Sequence, residues 1–179
     1  SKTDMSNLRL LNETSASSVS SVSVTDVFTS DFDIYKVELL RPDLNTGTGT
    51  WLDIRLVDLN GSVVSSSDYN YASFVMNSDS GFGEDRSTGA TFMRGLRYSS
   101  NSSADGGGMV IYVFNPTNIS SYTFLLQQSS SFSTAESKMV STKMIGVLRN
   151  KSEIGGINFY HTNNFDDVNI KVYGLRVDS

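Results

Sequence analysis

The chain has 179 residues, no cysteine and a formal net charge of −5. These values exclude disulfides and thiolate zinc sites, and the acidic balance is atypical of proteins that bind nucleic acids or anionic membranes. Aromatic residues make up 11% of the chain, whereas helix-forming residues are scarce. The length fits one domain, and no apolar run approaches the roughly 20 residues of a membrane-spanning helix.

The N-terminal segment, residues 1–23, is rich in serine and has little apolar patterning. We predict either a solvated arm or an arm that becomes ordered only against a neighbouring subunit, and within it Val19–Val24 could form a weak edge strand. The remainder, residues 24–179, is predicted to form a single domain. The apolar side chains of the arm are Leu8, Leu10 and Leu11.

The first clear strand is Asp31–Leu40, whose apolar and charged side chains alternate. Tyr35, Val37 and Leu39 fall on one face and Lys36 on the other, as expected for a sheet with one buried and one wet face. The segment predicts a core-forming strand.

Further strand patterns follow, separated by turn signals. The firmest local prediction is a hairpin at Asn60-Gly61, since this dipeptide accepts a positive φ. The polar stretch 77–86 is predicted to be a loop. Another hairpin is predicted where Met109–Phe114 meets the turn beginning at Asn115.

The C-terminal third predicts a strand within Lys138–Arg149, another at Ile154–Tyr160, a loop at His161–Asp167 and a last strand at Val168–Leu175. In total the sequence predicts nine or ten strands without a crossover helix. The predicted fold is therefore all-β, an antiparallel β-sandwich of the jelly-roll kind.

Candidate chemistry is sparse. His161 is the single histidine and is predicted to be a solvated loop residue. Asp79, Glu84 and Asp85 in one predicted loop, and Asp166 with Asp167 in another, could serve as paired acids of a glycosidase or as calcium ligands. Acids on wet strand faces and in turns more often provide solubility. We predict no catalytic residues, no metal site and no cofactor.

Four aromatic residues leave two interpretations open. Trp51, Tyr69, Tyr71 and Tyr98 could form a platform on which a sugar ring stacks, as aromatic side chains do in glycan-binding proteins. Alternatively, they belong to the core or to an interface between subunits.

Several short motifs resemble a family of small virion proteins of tailed phages. They are Gly155–Tyr160, the terminal strand Val168–Leu175 with its Tyr-Gly-Leu ending, Phe32–Tyr35, and Ile111–Pro116. The resemblance extends from about Thr25 onward and leaves out the Ser-rich arm. The last loop departs from it, with Asn163-Asn164 where glycine is usual.

This resemblance implies a structural, generally multimeric part of a phage particle. The leading hypothesis is a non-enzymatic capsid decoration (cement) protein that stabilises capsomer contacts as a homotrimer. It would be assembled in the host cytoplasm, localise to the virion and bind the major capsid protein or other virion proteins. The alternative is a tail-fibre or receptor-binding module that recognises host surface glycan. The predicted interaction surface comprises Leu8, Leu10, Leu11, Trp51, Tyr69, Tyr71, Phe82, Arg86 and Tyr98.

Overall fold

The computed structural model describes residues 7–44, 50–98, 107–134 and 136–175. Within these ranges the chain is all-β, with antiparallel strand pairs throughout, and no helix there is long and apolar enough to cross a membrane. The strands are β1 (Leu8–Ala16), β2 (Val19–Val24), β3 (Ile34–Leu44), β4 (Thr50–Asp58), β5 (Tyr69–Asn77), β6 (Gly81–Ala90), β7 (Met93–Tyr98), β8 (Gly108–Phe114), β9 (Thr123–Ser133), β10 (Lys138–Leu148) and β11 (Ile154–Leu175).

The strands form a nearly closed antiparallel sheet that folds into two layers. The larger layer runs β6-β5-β10-β9-β8-β3-β11-β1, and the smaller runs β2-β11-β4-β7. In the smaller layer β7 lies over the larger one, because Met93 contacts the position of Gly146 on β10, and the position of Gly95 contacts Met109 on β8. This arrangement confirms the predicted antiparallel sandwich.

The core lies between the two layers. The predicted core residues of β3, Tyr35, Val37 and Leu39, are fully buried, as are Ile54 and Leu56 of the facing β4. Each such side chain contributes about 1.5–3 kcal/mol by leaving water. The opening strand is therefore a central element of the core, as its alternation predicts.

β11 is one continuous strand that belongs to both layers. Its first part pairs with β2 and β4, and its last part pairs with β1 and β3. The predicted loop at His161–Asp167 is wrong, because this segment continues the strand through several register shifts. Such bulges bend a strand, and Phe165 remains buried within the bend.

His161 is also placed differently from the prediction. It is buried within β11, and its Nδ1 accepts a hydrogen bond of 3.0 Å from the backbone N–H of Asn163. Desolvation by burial lowers the pKa of the imidazole, which favours its neutral form.

The N-terminal segment corrects a second prediction. Instead of a solvated arm, β1 and β2 flank β11, and the predicted weak edge strand Val19–Val24 is β2. Val22 and Val24 are buried, and Leu11 packs against the core. The proposed boundary after residue 23 thus falls inside a strand, since the backbone edge of β11 offers these residues hydrogen-bond partners.

Two turns differ in detail. The hairpin after β4 has a three-residue loop ending at Gly61, whose φ is 80°, and its return strand is a single bridge between Val57 and Val63. The predicted polar loop at 77–86 is instead the end of β5, a short turn and half of β6. β6 is an edge strand whose side chains are mostly exposed or half-buried, so it has little of the apolar alternation on which the strand prediction depends.

Candidate functional site

The larger layer has one side that faces away from the core, which we call the outer face. Directly opposed residues on antiparallel strands point to the same side of a sheet, so the strand registers define rows of neighbouring side chains across this face. Eight strands contribute to it, from β6 at one edge to β1 at the other.

Two adjacent rows of the outer face are largely apolar. Ile145 in the first row is 60% exposed. In the second row Phe124 is also exposed and Val147 is half-buried. From β6 to β1 the first row contains Arg86, Ala72, Ile145, Leu126, Tyr112, Lys36, Tyr173 and Leu10. The second contains Thr88, Asn70, Val147, Phe124, Phe114, Ile34, Leu175 and Leu8.

An aromatic ridge, formed by Phe74, Met76 and Phe82, stands on the outer face of β5 and β6. Phe82 is 75% exposed, and its ring stacks on Phe74 at a centroid distance of 5.2 Å. All three side chains are exposed although water solvates them poorly. A contiguous apolar feature of this kind marks an interaction site more often than a chance surface residue does.

Beside the ridge lies an apolar groove of about 300 Å³. Ala72 contributes only a methyl group to the outer face, whereas Ile145 and Phe124 are larger neighbours, and the difference in side-chain size leaves a depression. The groove is lined by Asn70, Tyr71, Ala72, Ser87, Thr88, Phe124, Ile145, Gly146 and Val147.

A third row of the outer face carries charges of both signs. Glu38 of this row forms an ion pair of 2.6 Å with Lys36 of the neighbouring first row, and this hydrogen bond raises the pKa of the lysine. Glu84 lies 3.7 Å from Arg86, with both side chains mostly exposed. The row contains Glu84, Phe74, Lys143, Gln128, Val110, Glu38, Lys171 and Glu13.

A polar cluster occupies the gap between the edge strands β6 and β7. The guanidinium of Arg94 lies 3.9 Å from a carboxylate oxygen of Asp53 and 3.4 Å from one of Asp85. The hydroxyl of Tyr71 donates a 2.7 Å hydrogen bond to Asp85, and Tyr160 hydrogen-bonds Asp53. The cluster thus connects β4, β5, β6, β7 and β11.

Burial sets the protonation of this cluster. Desolvation raises the pKa of Asp53 to about 7, although Arg94 and the hydrogen bond from Tyr160 act in the opposite direction. The pKa of Tyr71 is raised by burial and by its hydrogen bond to Asp85, and that of Tyr160 is raised by burial. Asp53 therefore holds or releases a proton near neutral pH, a property found in catalytic acids and also in structural ion pairs.

Arginine side chains cover the aromatic rings around the cluster. Arg55 lies 4.4 Å from the centre of the Tyr160 ring, and Arg94 lies 5.6 Å from that of Trp51 and 5.7 Å from that of Phe92. These cation–π contacts occupy ring faces on which a sugar would otherwise stack. The arrangement favours a role in holding the layers together.

The residues predicted for an interaction surface are dispersed. Phe82, Arg86, Leu8 and Leu10 all lie on the outer face, but at its opposite edges. Leu11 packs against the core.

Of the two interpretations left open for the aromatic residues, the structure favours core packing over a sugar platform, because Tyr69 and Tyr71 are buried and Trp51 is half-buried beside Arg94. The side chain of Tyr98 lies outside the described part of the structure. Of the five candidate acids, only Asp85 joins the cluster, whereas the other four are exposed: Asp79, Glu84, Asp166 and Asp167.

Sequence reasoning missed the centre of the outer face. The runs Tyr122–Leu126 and Met144–Leu148 have large apolar residues at consecutive positions, so that along these runs β9 and β10 carry apolar side chains on both faces. A near-continuous apolar run in a strand with one face open to solvent is the signal that identifies such a surface. Among the described residues, no three histidine or acidic side chains come together as metal ligands.

Comparisons with known proteins give little further information. No protein-family model matches the chain, and no curated protein matches it. Among solved structures, the chain is similar to a family 7 alginate lyase, A1-II′, in complex with substrate, with a TM-score of 0.27 and 7% sequence identity. The match covers 83% of this chain and 64% of the lyase, so the chain spans less than two thirds of that protein. A likeness at this level supports no inference about activity.

Proposed function

We propose that this protein is a non-enzymatic structural component of a phage virion, which decorates the capsid and stabilises contacts between capsomers. The observation that carries the proposal is the outer face, with its exposed aromatic ridge, apolar rows and groove. The resemblance of the sequence motifs to small virion proteins supports the same function and supplies the expected partner, the major capsid protein or another virion protein.

The dimensions of the outer face suit a protein partner. Eight strands about 4.8 Å apart and roughly 25 Å long give a surface of roughly 900 Å². A standard protein–protein interface buries about 800 Å² on each partner. Large aromatic and aliphatic side chains at the centre with charged side chains beside them are typical of such interfaces.

The test is quantitative mass spectrometry of purified phage particles from a host that expresses the chain. We expect the protein in the particles at hundreds of copies, whereas a tail component would be present at roughly three to eighteen copies, because closed symmetric assemblies set copy number. Absence from the particles would contradict a virion role. The molecular mass of the free protein tests the homotrimer.

The alternative, glycan recognition by a tail fibre, has less support. Tyr69 and Tyr71 belong to the core, and Arg94 lies over the ring of Trp51. A glycan array with the intact protein separates the two functions, since a decoration protein gives no specific signal and a receptor-binding module gives a defined set of bound sugars.

A further inference from the structure

We propose that the outer face binds a second copy of this chain through a two-fold contact centred on β5 and β6. The inference rests on the proposed function, because it names an occupant for part of the same face. A two-fold contact is isologous, so each feature of the surface must meet its complement in the same surface of the second copy. The outer face meets this requirement in both its charges and its shape.

The rows on β5 and β6 define where the axis lies. Along β6 the rows contain Phe82, Glu84, Arg86 and Thr88 in succession, opposite Met76, Phe74, Ala72 and Asn70 on β5. An axis parallel to the rows, between Phe74 and Ala72, exchanges the two inner rows with each other and the two outer rows with each other. The strands of the second copy then run antiparallel to those of the first.

The first complement is electrostatic. This axis sets Glu84 of each copy opposite Arg86 of the other, so that two ion pairs form across the contact. Within one chain the same two groups are 3.7 Å apart and mostly exposed, a geometry that contributes little by itself. Exclusion of water from the contact strengthens such pairs.

The second complement is steric. The axis sets Phe74 opposite the methyl group of Ala72, and it sets Phe82 opposite Thr88 at the rim of the apolar groove. A bulky, exposed ridge therefore meets a depression of about 300 Å³ on each side of the axis. Aromatic side chains that fill apolar pockets in this way are the dominant contributors to protein–protein binding.

The contact is separate from any three-fold contact, which would use other surfaces of the molecule. A chain with only the two-fold contact forms a dimer, and one with both contacts forms a closed assembly whose copy number is a multiple of six. In either case we expect the molecular mass of the assembly to fall when Phe82 is replaced by a small polar residue.

The experiment is sedimentation equilibrium of the full chain over a range of concentrations. We expect a dimer, or a multiple of two, and we expect Phe82→Ser to weaken the two-fold association about tenfold or more. Leu59→Ser is the matched control. Leu59 is, like Phe82, a large exposed apolar residue, but it follows β4 in the other layer. Thermal unfolding of each variant verifies that it folds.

A charge exchange tests the pairing itself. Glu84→Arg and Arg86→Glu should each weaken association, because each places like charges opposite one another across the axis. The double variant should restore association, since the exchanged groups pair again only when the partner is a second copy. A protein that stays monomeric, a trimer whose mass is insensitive to Phe82→Ser, or a double variant without recovery would overturn the two-fold contact. If such a protein is nevertheless present in purified particles, the virion function stands and this contact alone fails.

Discussion

At the scale of single residues, the interior contains polar groups that form hydrogen bonds and others that have no hydrogen-bond partner among the described residues. Ser129 and Ser131 are buried near one end of β9, and their hydroxyls donate to carbonyl oxygens of β10. Gln127, two residues earlier, is fully buried between Ile111 and Met144, and neither its amide oxygen nor its nitrogen has a hydrogen-bond partner among the described residues. An unsatisfied buried amide costs about 1–3 kcal/mol.

Gln127→Met should therefore stabilise the protein. The methionine side chain has a similar length and no groups that require hydrogen bonds, so we expect the free energy of unfolding to rise by about 1–2 kcal/mol. Chemical denaturation measures this change. Gln128→Met, at the adjacent exposed position, is the control and should have little effect; a loss of stability in Gln127→Met would show that the amide has a partner.

Asp53 should make stability depend on pH. Its pKa in the folded protein, about 7, lies above the ordinary value of 3.8, so the folded state holds a proton that the unfolded chain has released. Stability should consequently fall as the pH rises from about 4 to about 7, by at most about 4 kcal/mol from this group.

Asp53→Asn should remove that part of the pH dependence, because the amide does not ionise. The measurement compares urea midpoints of the two proteins at several pH values, and the exposed Asp166→Asn serves as the control. Parallel profiles for the parent protein and Asp53→Asn would mean that Asp53 stays ionised in the folded state.

At the scale of elements, β11 is the strand with which β1, β2, β3 and β4 all pair. Its two edges pair with four strands, so that segments far apart in the chain depend on it. β1 is the most informative of these, because its sequence has almost no strand pattern and yet it pairs with the last part of β11. The partner strand, more than local propensity, places β1 in the sheet.

Two neighbouring leucines of β1 test this account. Leu11 packs against the core, whereas Leu10 is 49% exposed on the outer face. Leu11→Ser should lower the free energy of unfolding by about 2–3 kcal/mol, and Leu10→Ser should change it by less than about 0.5 kcal/mol. Equal effects in thermal and urea unfolding would indicate that β1 does not dock on the core.

The sequence predicts those elements whose apolar and polar side chains alternate. β3 is recovered because Tyr35 begins a clear alternation, and the turn after β8 is marked by Asn115-Pro116. β6 is missed because it is an edge strand with polar residues on both sides, and β1 because its partner is more than 150 residues away. Apolar runs in single strands indicate the centre of the outer face, but its full extent could not be predicted from them, since its rows form only once the register aligns residues from eight strands.

At the scale of the whole molecule, the pairing of β1 with β11 closes the longest loop in the described chain. Chains dominated by such distant contacts fold on the scale of milliseconds to seconds, because the entropy of loop closure is lost before the contacts form. Stopped-flow refolding should therefore show its main phase in that range. Folding within microseconds would be inconsistent with this topology.

The position of β11 has a consequence for synthesis. Ribosomes make every other strand of the described chain before β11, and until it emerges neither layer has the strand that both share. The growing chain consequently carries its future core and its outer face exposed together, with no completed layer to separate them. The outer face is therefore complete only once β11 has been made, so this surface cannot take its final form before the last strand of the described domain exists.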